Sequence, residues 1–246
     1  MTKIKLTYLY PDICGLYGDR GNVLAFQRVC GQMGLEAEVE RIDNTDQAID
    51  FEGTDIFFLS PGELSVFPSV IAALEKNRAA LDSFLARGGY FFAIGSAACV
   101  FADEVQRLSR PSYAGLGIGG FDCTERDMIY GDDLIFTCRP TDTDREVAGI
   151  QIQTVDIHPK AGAEPFGSIV YGYGNDHSKA EGIRHKNLII TNALGPAFVK
   201  NPWLWADVLA DIAAKKGTET ATPDFELEKK SLAAVKAFNA GKKTNL

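Results

Sequence analysis

Residues 88–101, GGYFFAIGSAACVF, constrain this chain more than any other stretch. Tyr90-Phe91-Phe92-Ala93-Ile94 is a short, unbroken apolar run of β-favouring residues, the pattern of a parallel strand buried on both faces. Gly95-Ser96 turns the chain, and the small and apolar residues Ala97-Ala98-Cys99-Val100-Phe101 open a helix. Strand, tight turn and helix make a nucleophile elbow, which holds one side chain at the carboxyl edge of a sheet. The elbow position is the first residue after the strand. Here it is Gly95, which has no side chain to attack with. The sequence therefore predicts a catalytic architecture without a nucleophile.

Around the elbow, strand and helix patterns alternate. Lys5 to Tyr10 reads as a strand ended by Pro11-Asp12, and a glycine-rich loop from Cys14 to Asn22 leads into a helix with apolar positions at Val23, Leu24, Phe26, Val29 and Met33. That loop has neither G-x-G-x-x-G nor a G-K-[ST] ending, which argues against a nucleotide site at the helix N-terminus. Residues 35–42 and 55–59 are further strands, the latter followed by Ser60-Pro61-Gly62-Glu63, and residues 67–85 carry apolar side chains at helical spacing. This alternation implies right-handed crossovers and an open, mostly parallel α/β sheet with helices on both faces. Sites in such sheets lie at the carboxyl ends of the strands, where the loops at 12–22, 60–64 and 95–99 gather.

Beyond residue 116 the pattern changes to strands and turns, read as antiparallel hairpins that extend the sheet, with two more strands at 168–175 and 187–191. Pro202 is placed at N1 of a helix whose apolar face is Trp203, Val208, Leu209 and Ile212. Residues 217–223 read as a polar linker and 224–246 as a charged, peripheral helix. The expected organisation is thus one domain over 1–216, then a linker and C-terminal helix over 217–246.

Composition excludes several classes. The net charge of −8 argues against a nucleic-acid partner, since phosphate binding needs a basic surface. No apolar run approaches the roughly 20 residues that span a bilayer, and the first strand begins without the pattern of a signal peptide. Five scattered cysteines, none spaced C-x-x-C, suit a reduced cytoplasm better than a disulfide framework or a zinc site. No metal or cofactor is expected.

Several motifs in order carry a resemblance: Tyr8-Leu-Tyr-Pro-Asp12 with Tyr17-Gly-Asp-Arg-Gly-Asn22, Tyr171-Gly-Tyr-Gly-Asn175, Glu181-Gly-Ile183, Lys186-Asn187, and Gly195-Pro196 with Lys200-Asn-Pro202. Over nearly its whole length the chain resembles class I glutamine amidotransferases of the cobyric acid synthase type, in particular the amidotransferase subunits of lipid II isoglutaminyl synthases. The resemblance implies a flavodoxin-like fold and a glutaminase, in which an elbow cysteine attacks the glutamine amide, a histidine activates it and backbone N–H groups hold the oxyanion. It also implies a partner, a Mur-ligase-like ATP-dependent subunit that uses the ammonia to amidate the peptidoglycan stem.

Three parts of that machinery differ here. The family's elbow reads A-I-C-G-G-Y-Q, so its cysteine falls on Gly95; its T-Y-L-H-G-P segment places the histidine on Leu194; and its G-G-G-x-D loop is Ser60-Pro61-Gly62-Glu63-Leu64. Pro61 removes a backbone donor from that loop, leaving Gly62 of the three glycines. Cys99 is the candidate substitute nucleophile, against its reading as a small buried hydrophobe; it stands one helical turn, about 6 Å, beyond the elbow. Ser96 adjoins the elbow and is expected to point elsewhere, though with Gly62 it falls in the substrate-binding region. The three histidines are His158, His177 and His185, and the last two read as solvated residues in a loop between late strands. Asp19, Arg20 and Asn22 are expected to shape the site or hold the partner, a plain Asp19–Arg20 ion pair being the alternative. The leading expectation is an amidotransferase-like subunit without glutaminase activity, bound to a Mur-ligase-like protein. The alternatives are a glutaminase working through Cys99 and a protein that reuses the pocket for L-glutamine or another small molecule.

Overall fold

The alternation takes three-dimensional form in a computed structural model that describes residues 1–242. The strands are Lys3–Leu9 (β1), Glu36–Ile42 (β2), Ile56–Leu59 (β3), Tyr90–Ile94 (β4), Val105–Gln106 (β5), Phe121–Cys138 (β6), Arg145–Pro159 (β7), Gly167–Tyr171 (β8), Ala180–Glu181 (β9), Ile183–His185 (β10) and Leu188–Thr191 (β11). The helices are Arg20–Gln32 (α1), Phe67–Glu75 (α2), Arg78–Ala86 (α3), Ala197–Lys200 (α4), Trp203–Lys215 (α5) and Glu226–Asn239 (α6).

One sheet has the order β10-β11-β4-β3-β1-β2, parallel throughout except for β10 at its edge. Its two middle strands, β3 and β4, are apolar at every position because both faces are covered. Phe58, Phe92 and Ile189 join one core layer with Phe26 of α1 and Trp205 of α5. Their sequence neighbours Phe57, Phe91 and Ile190 turn the other way, onto Phe67 of α2 and Phe84 of α3. Each such aromatic contributes roughly 2–3 kcal/mol by leaving water. The parallel α/β architecture expected from the sequence is the one observed.

Local differences have local causes. The turn after β4 is a 3-10 helix, Gly95–Val100, and not the opening of an α-helix. The carbonyls of Val100, Phe101 and Ala102, which a longer helix would use, instead accept the N–H groups of Leu116, Ile118 and Gly117. The apolar pattern of residues 67–85 is split into α2 and α3 at Lys76-Asn77, where the Asn77 side chain donates to the Ala73 carbonyl at 2.9 Å. Pro202 caps α5 instead of occupying its first turn. His185 lies in β10, outside any loop. Of the expected C-terminal helix, α6 spans 14 residues, and 243–246 lie outside the described residues.

The long β6–β7 hairpin and the strand β8 build a second sheet with β5 and β9, whereas the sequence pattern suggested an extension of the first. The two sheets meet beside the elbow. Ile150 of β7 and Leu194 exchange backbone hydrogen bonds at 3.1 and 2.8 Å, tying the second sheet to the loop that follows β11.

Candidate functional site

Strands β1, β3, β4 and β11 end at one edge of the first sheet, so the loops after them converge there. At the end of β4, Gly95 has φ +55°, the left-handed region that L side chains rarely adopt. A Cβ built on Gly95 would lie 3.3 Å from Leu194 Cδ2 and 3.5 Å from Pro61 Cβ. The strained elbow conformation is thus present without an elbow side chain, and an isobutyl group and a pyrrolidine ring stand where it would project. Leu194 and Pro61, far from Gly95 in sequence, are both its neighbours in the fold.

The loop after β3 is closed from the other side. Ser96 Oγ donates to the Gly62 carbonyl at 2.8 Å and accepts the Gly62 N–H at 3.1 Å. Ser96 therefore does not point elsewhere; its hydroxyl clasps the Gly62 loop because both are buried and their polar groups need partners. With no N–H on Pro61 and that of Gly62 engaged, neither offers a free donor to an oxyanion. Cys14 packs against Gly62, and burial pushes its thiol up to about 12, so it stays protonated at neutral pH.

The loop before α1 supplies Asp19, fully buried, whose Oδ1 accepts from Asn22 Nδ2 at 3.2 Å while Oδ2 has no partner among the described residues. Burial raises its carboxyl to about 7, against the opposing hydrogen bond from Asn22. Arg20 is exposed and forms no ion pair with Asp19, which removes the simple loop pair as an explanation. Asn22 is buried, with its Oδ1 accepting the Phe198 N–H at 2.9 Å and its carbonyl accepting Trp205 Nε1 at 2.9 Å. Its side chain joins α1 to α4, and its backbone carbonyl joins α1 to α5.

A buried polar scaffold, missed in the sequence reading, holds the Leu194 loop. Glu181 is fully buried and accepts from Thr191 Oγ1, from the Asn192 N–H at 2.9 Å and from Asn192 Nδ2 at 2.8 Å. Burial raises its carboxyl, and these donors oppose the rise. Asn175 accepts the Gly182 N–H at 2.6 Å and Asn192 Nδ2 at 3.0 Å, and donates to the Gly182 carbonyl at 2.9 Å. Gly182 has φ +60°, and a Cβ there would meet the Ile190 carbonyl oxygen at 1.9 Å, so only glycine fits. The Glu-Gly-Ile and Tyr-Gly-Tyr-Gly-Asn motifs thereby set the backbone that carries Leu194.

A cavity of 380 Å³ opens beside the elbow, on the side of Ser96 and Gly62, with Leu16, Tyr17, Glu63, Arg107, Arg110 and Glu125 in its lining; Gly95, Pro61 and Leu194 do not line it. Arg107 is held by Glu125 at 2.7 Å, so the cavity carries a fixed cation–carboxylate pair. The arginines come from a loop with no recognisable motif, and only the topology brings them here. Cys99 does not line this cavity; it is fully buried beside Tyr113 and Cys123. No histidine lines it either: His158 faces Asp176 at 3.2 Å, His177 stacks on Tyr173 with centroids 5.6 Å apart, and His185 is in β10. Among the described residues, no cluster of three or more His, Cys, Asp or Glu could hold a metal ion, and no helix is long and apolar enough to cross a membrane.

No family model matches the chain. Among curated proteins it is 25% identical over 229 residues to the GatD subunit of the glutamine-hydrolysing lipid II isoglutaminyl synthase of Streptococcus pneumoniae, covering 91% of this chain and 86% of that protein. It is likewise 25% identical over 218 residues to the Staphylococcus aureus GatD subunit, covering 88% and 87%. The chain is GatD-like. Solved structures agree on the fold. A PurLQS structure from Thermotoga maritima has a TM-score of 0.51 at 13% identity, covering 86% of this chain and 100% of that one. A glutamine amidotransferase from the same organism has a TM-score of 0.50 at 10% identity, covering 87% and 85%. This GatD-like chain therefore carries the glutamine amidotransferase fold, with Gly95, Leu194 and Pro61 at its elbow.

Proposed function

We propose that this GatD-like chain is an amidotransferase-type subunit of the cobyric acid synthase kind that has lost glutaminase activity and serves a Mur-ligase-like ATP-dependent subunit, in the cytoplasm, as a binding or regulatory partner in cell-wall amidation. The observation that carries the reading is the elbow: a glycine at φ +55° facing Leu194 and Pro61. A glutamine amide placed there meets no cysteine, no histidine and a Gly62 N–H already given to Ser96. Members of a catalytic set act as a unit, and losing the first already costs on the order of a million-fold in a hydrolase. A single restored group is therefore expected to recover almost nothing.

The partner role draws support from the surface around the cavity mouth, where Leu16, Tyr17 and Leu108 are 39%, 38% and 56% exposed. Burying such side chains is the contribution expected of a subunit interface. The relocated nucleophile, Cys99, has no comparable support, since it is enclosed in the core. A vacated pocket that binds a small molecule is favoured by one observation, the 380 Å³ cavity.

The test is ammonia release from L-glutamine by wild type, Cys99→Ala and Gly95→Cys/Leu194→His, each with and without the cognate ligase. Wild type and Cys99→Ala are expected to stay at the background rate. Wild-type turnover that vanishes in Cys99→Ala would overturn the inactive reading, and a ligase that fails to co-purify would overturn the partner role.

A further inference from the structure

A second cavity, of 480 Å³, lies between α5, the loop before β7 and the C-terminal segment, and it shares no lining residue with the elbow cavity. Its volume is that of a site for a small organic ligand, which typically occupies about 300–1,000 Å³. Trp203 of α5 and Phe225 before α6, 6% and 5% exposed, present ring edges to it. The rim is pinned in place. The Ala221 N–H donates to the Met33 carbonyl at 3.2 Å, and Arg28 of α1 pairs with Glu228 of α6 at 2.7 Å. Such fixed walls avoid the ordering cost that a floppy site incurs on binding.

The charges of the lining point to the ligand's sign. Each of its three carboxylates is already paired: Asp144 with Arg139 at 3.0 Å, Glu146 with Lys236, and Asp207 with Arg145 through two hydrogen bonds. Lys229 is the one charged lining group without an ion pair among the described residues. The hydroxyls of Thr220 and Thr222, also in the lining, make no hydrogen bond among the described residues. The cavity thus combines two aromatic edges with one cation and two hydroxyls that have no partner among the described residues.

We propose that this cavity binds a small aromatic anion, its ring against Trp203 and Phe225 and its anionic group at Lys229. The site is independent of the glutaminase chemistry and of the ligase, so its failure and that of the function above are separable. The probe is 8-anilinonaphthalene-1-sulfonate titrated into the full chain by fluorescence, with uncharged N-phenyl-1-naphthylamine as the comparison. One saturable site is expected. Lys229→Glu is expected to weaken the sulfonate about tenfold, the scale of a lost charge-assisted contact, and to leave the neutral probe unchanged. Ala210→Phe, at an exposed lining position, is expected to exclude both probes while the melting temperature stays at the wild-type value. Absence of saturable binding to wild type, or binding that neither variant alters, overturns the site. Equal weakening of both probes by Lys229→Glu overturns the anion preference.

Discussion

Two regions a few residues apart at the end of β11 have opposite chemistry. At the elbow corner, Gly95 meets Pro61 and Leu194 in an apolar contact. The scaffold immediately behind it, Glu181, Asn175, Asn192 and Gly182, buries polar groups and pairs them with one another. An apolar corner tolerates change because its atoms contribute many small contacts and leave no orphan donor behind. A buried polar scaffold does not, because each partner removed strands another. The difference gives the scaffold motifs a structural task, holding the backbone, that does not depend on the chemistry of the corner.

The comparison breaks most sharply if the scaffold proves dispensable. Asn175→Ala leaves the Gly182 N–H and carbonyl without their side-chain partners and deprives Asn192 Nδ2 of one acceptor. We expect a loss of about 3–5 kcal/mol, seen as a fall of roughly 10 °C in Tm by calorimetry. A loss under about 1 kcal/mol would reduce the scaffold to ordinary surface polarity.

A smaller effect is expected at the corner. Gly95→Cys places a Cβ at φ +55° and 3.3 Å from Leu194, which costs about 1–2 kcal/mol. Denaturant unfolding measures it, and the same variant assayed for ammonia should stay at background. A neutral or stabilising Gly95→Cys would mean that the elbow strain is absent in solution.

A pH-dependent effect is expected in the loop before α1, which belongs to neither region. Asp19 has a carboxyl at about 7 in the fold against 3.8 in the open chain. The folded state therefore holds the proton more tightly, and the stability this contributes is complete below about pH 4 and lost as pH rises through about 7. Asp19→Asn is expected to raise stability at pH 8, by an amount that linkage bounds at about 4 kcal/mol, and to change little at pH 4. Thermal melts at the two pH values check the sign. Glu181, raised in the same direction, leaves part of the pH dependence in the variant.

Much of this was legible before any coordinates. The apolar runs at 55–59 and 90–94 announced buried parallel strands because both faces of such strands must be apolar. Gly95 announced an elbow without a side chain because the end of a strand and the start of a turn are local facts. The motifs around Asn22, Asn175 and Glu181 marked the fold. Their work was not legible, since a hydrogen-bonding side chain in a sequence does not say whether it faces a ligand, a partner or the core. Only the tertiary structure aimed Ser96 at Gly62, enclosed Cys99 and brought Arg107 and Arg110 to the cavity. Only the tertiary structure set the long β6–β7 hairpin apart as a second sheet. Periodicity and turn chemistry act between near neighbours in the chain and can be read from it. The meeting of Gly95 with Leu194 and Pro61 depends on the order of strands in the sheet, which contacts between distant residues decide.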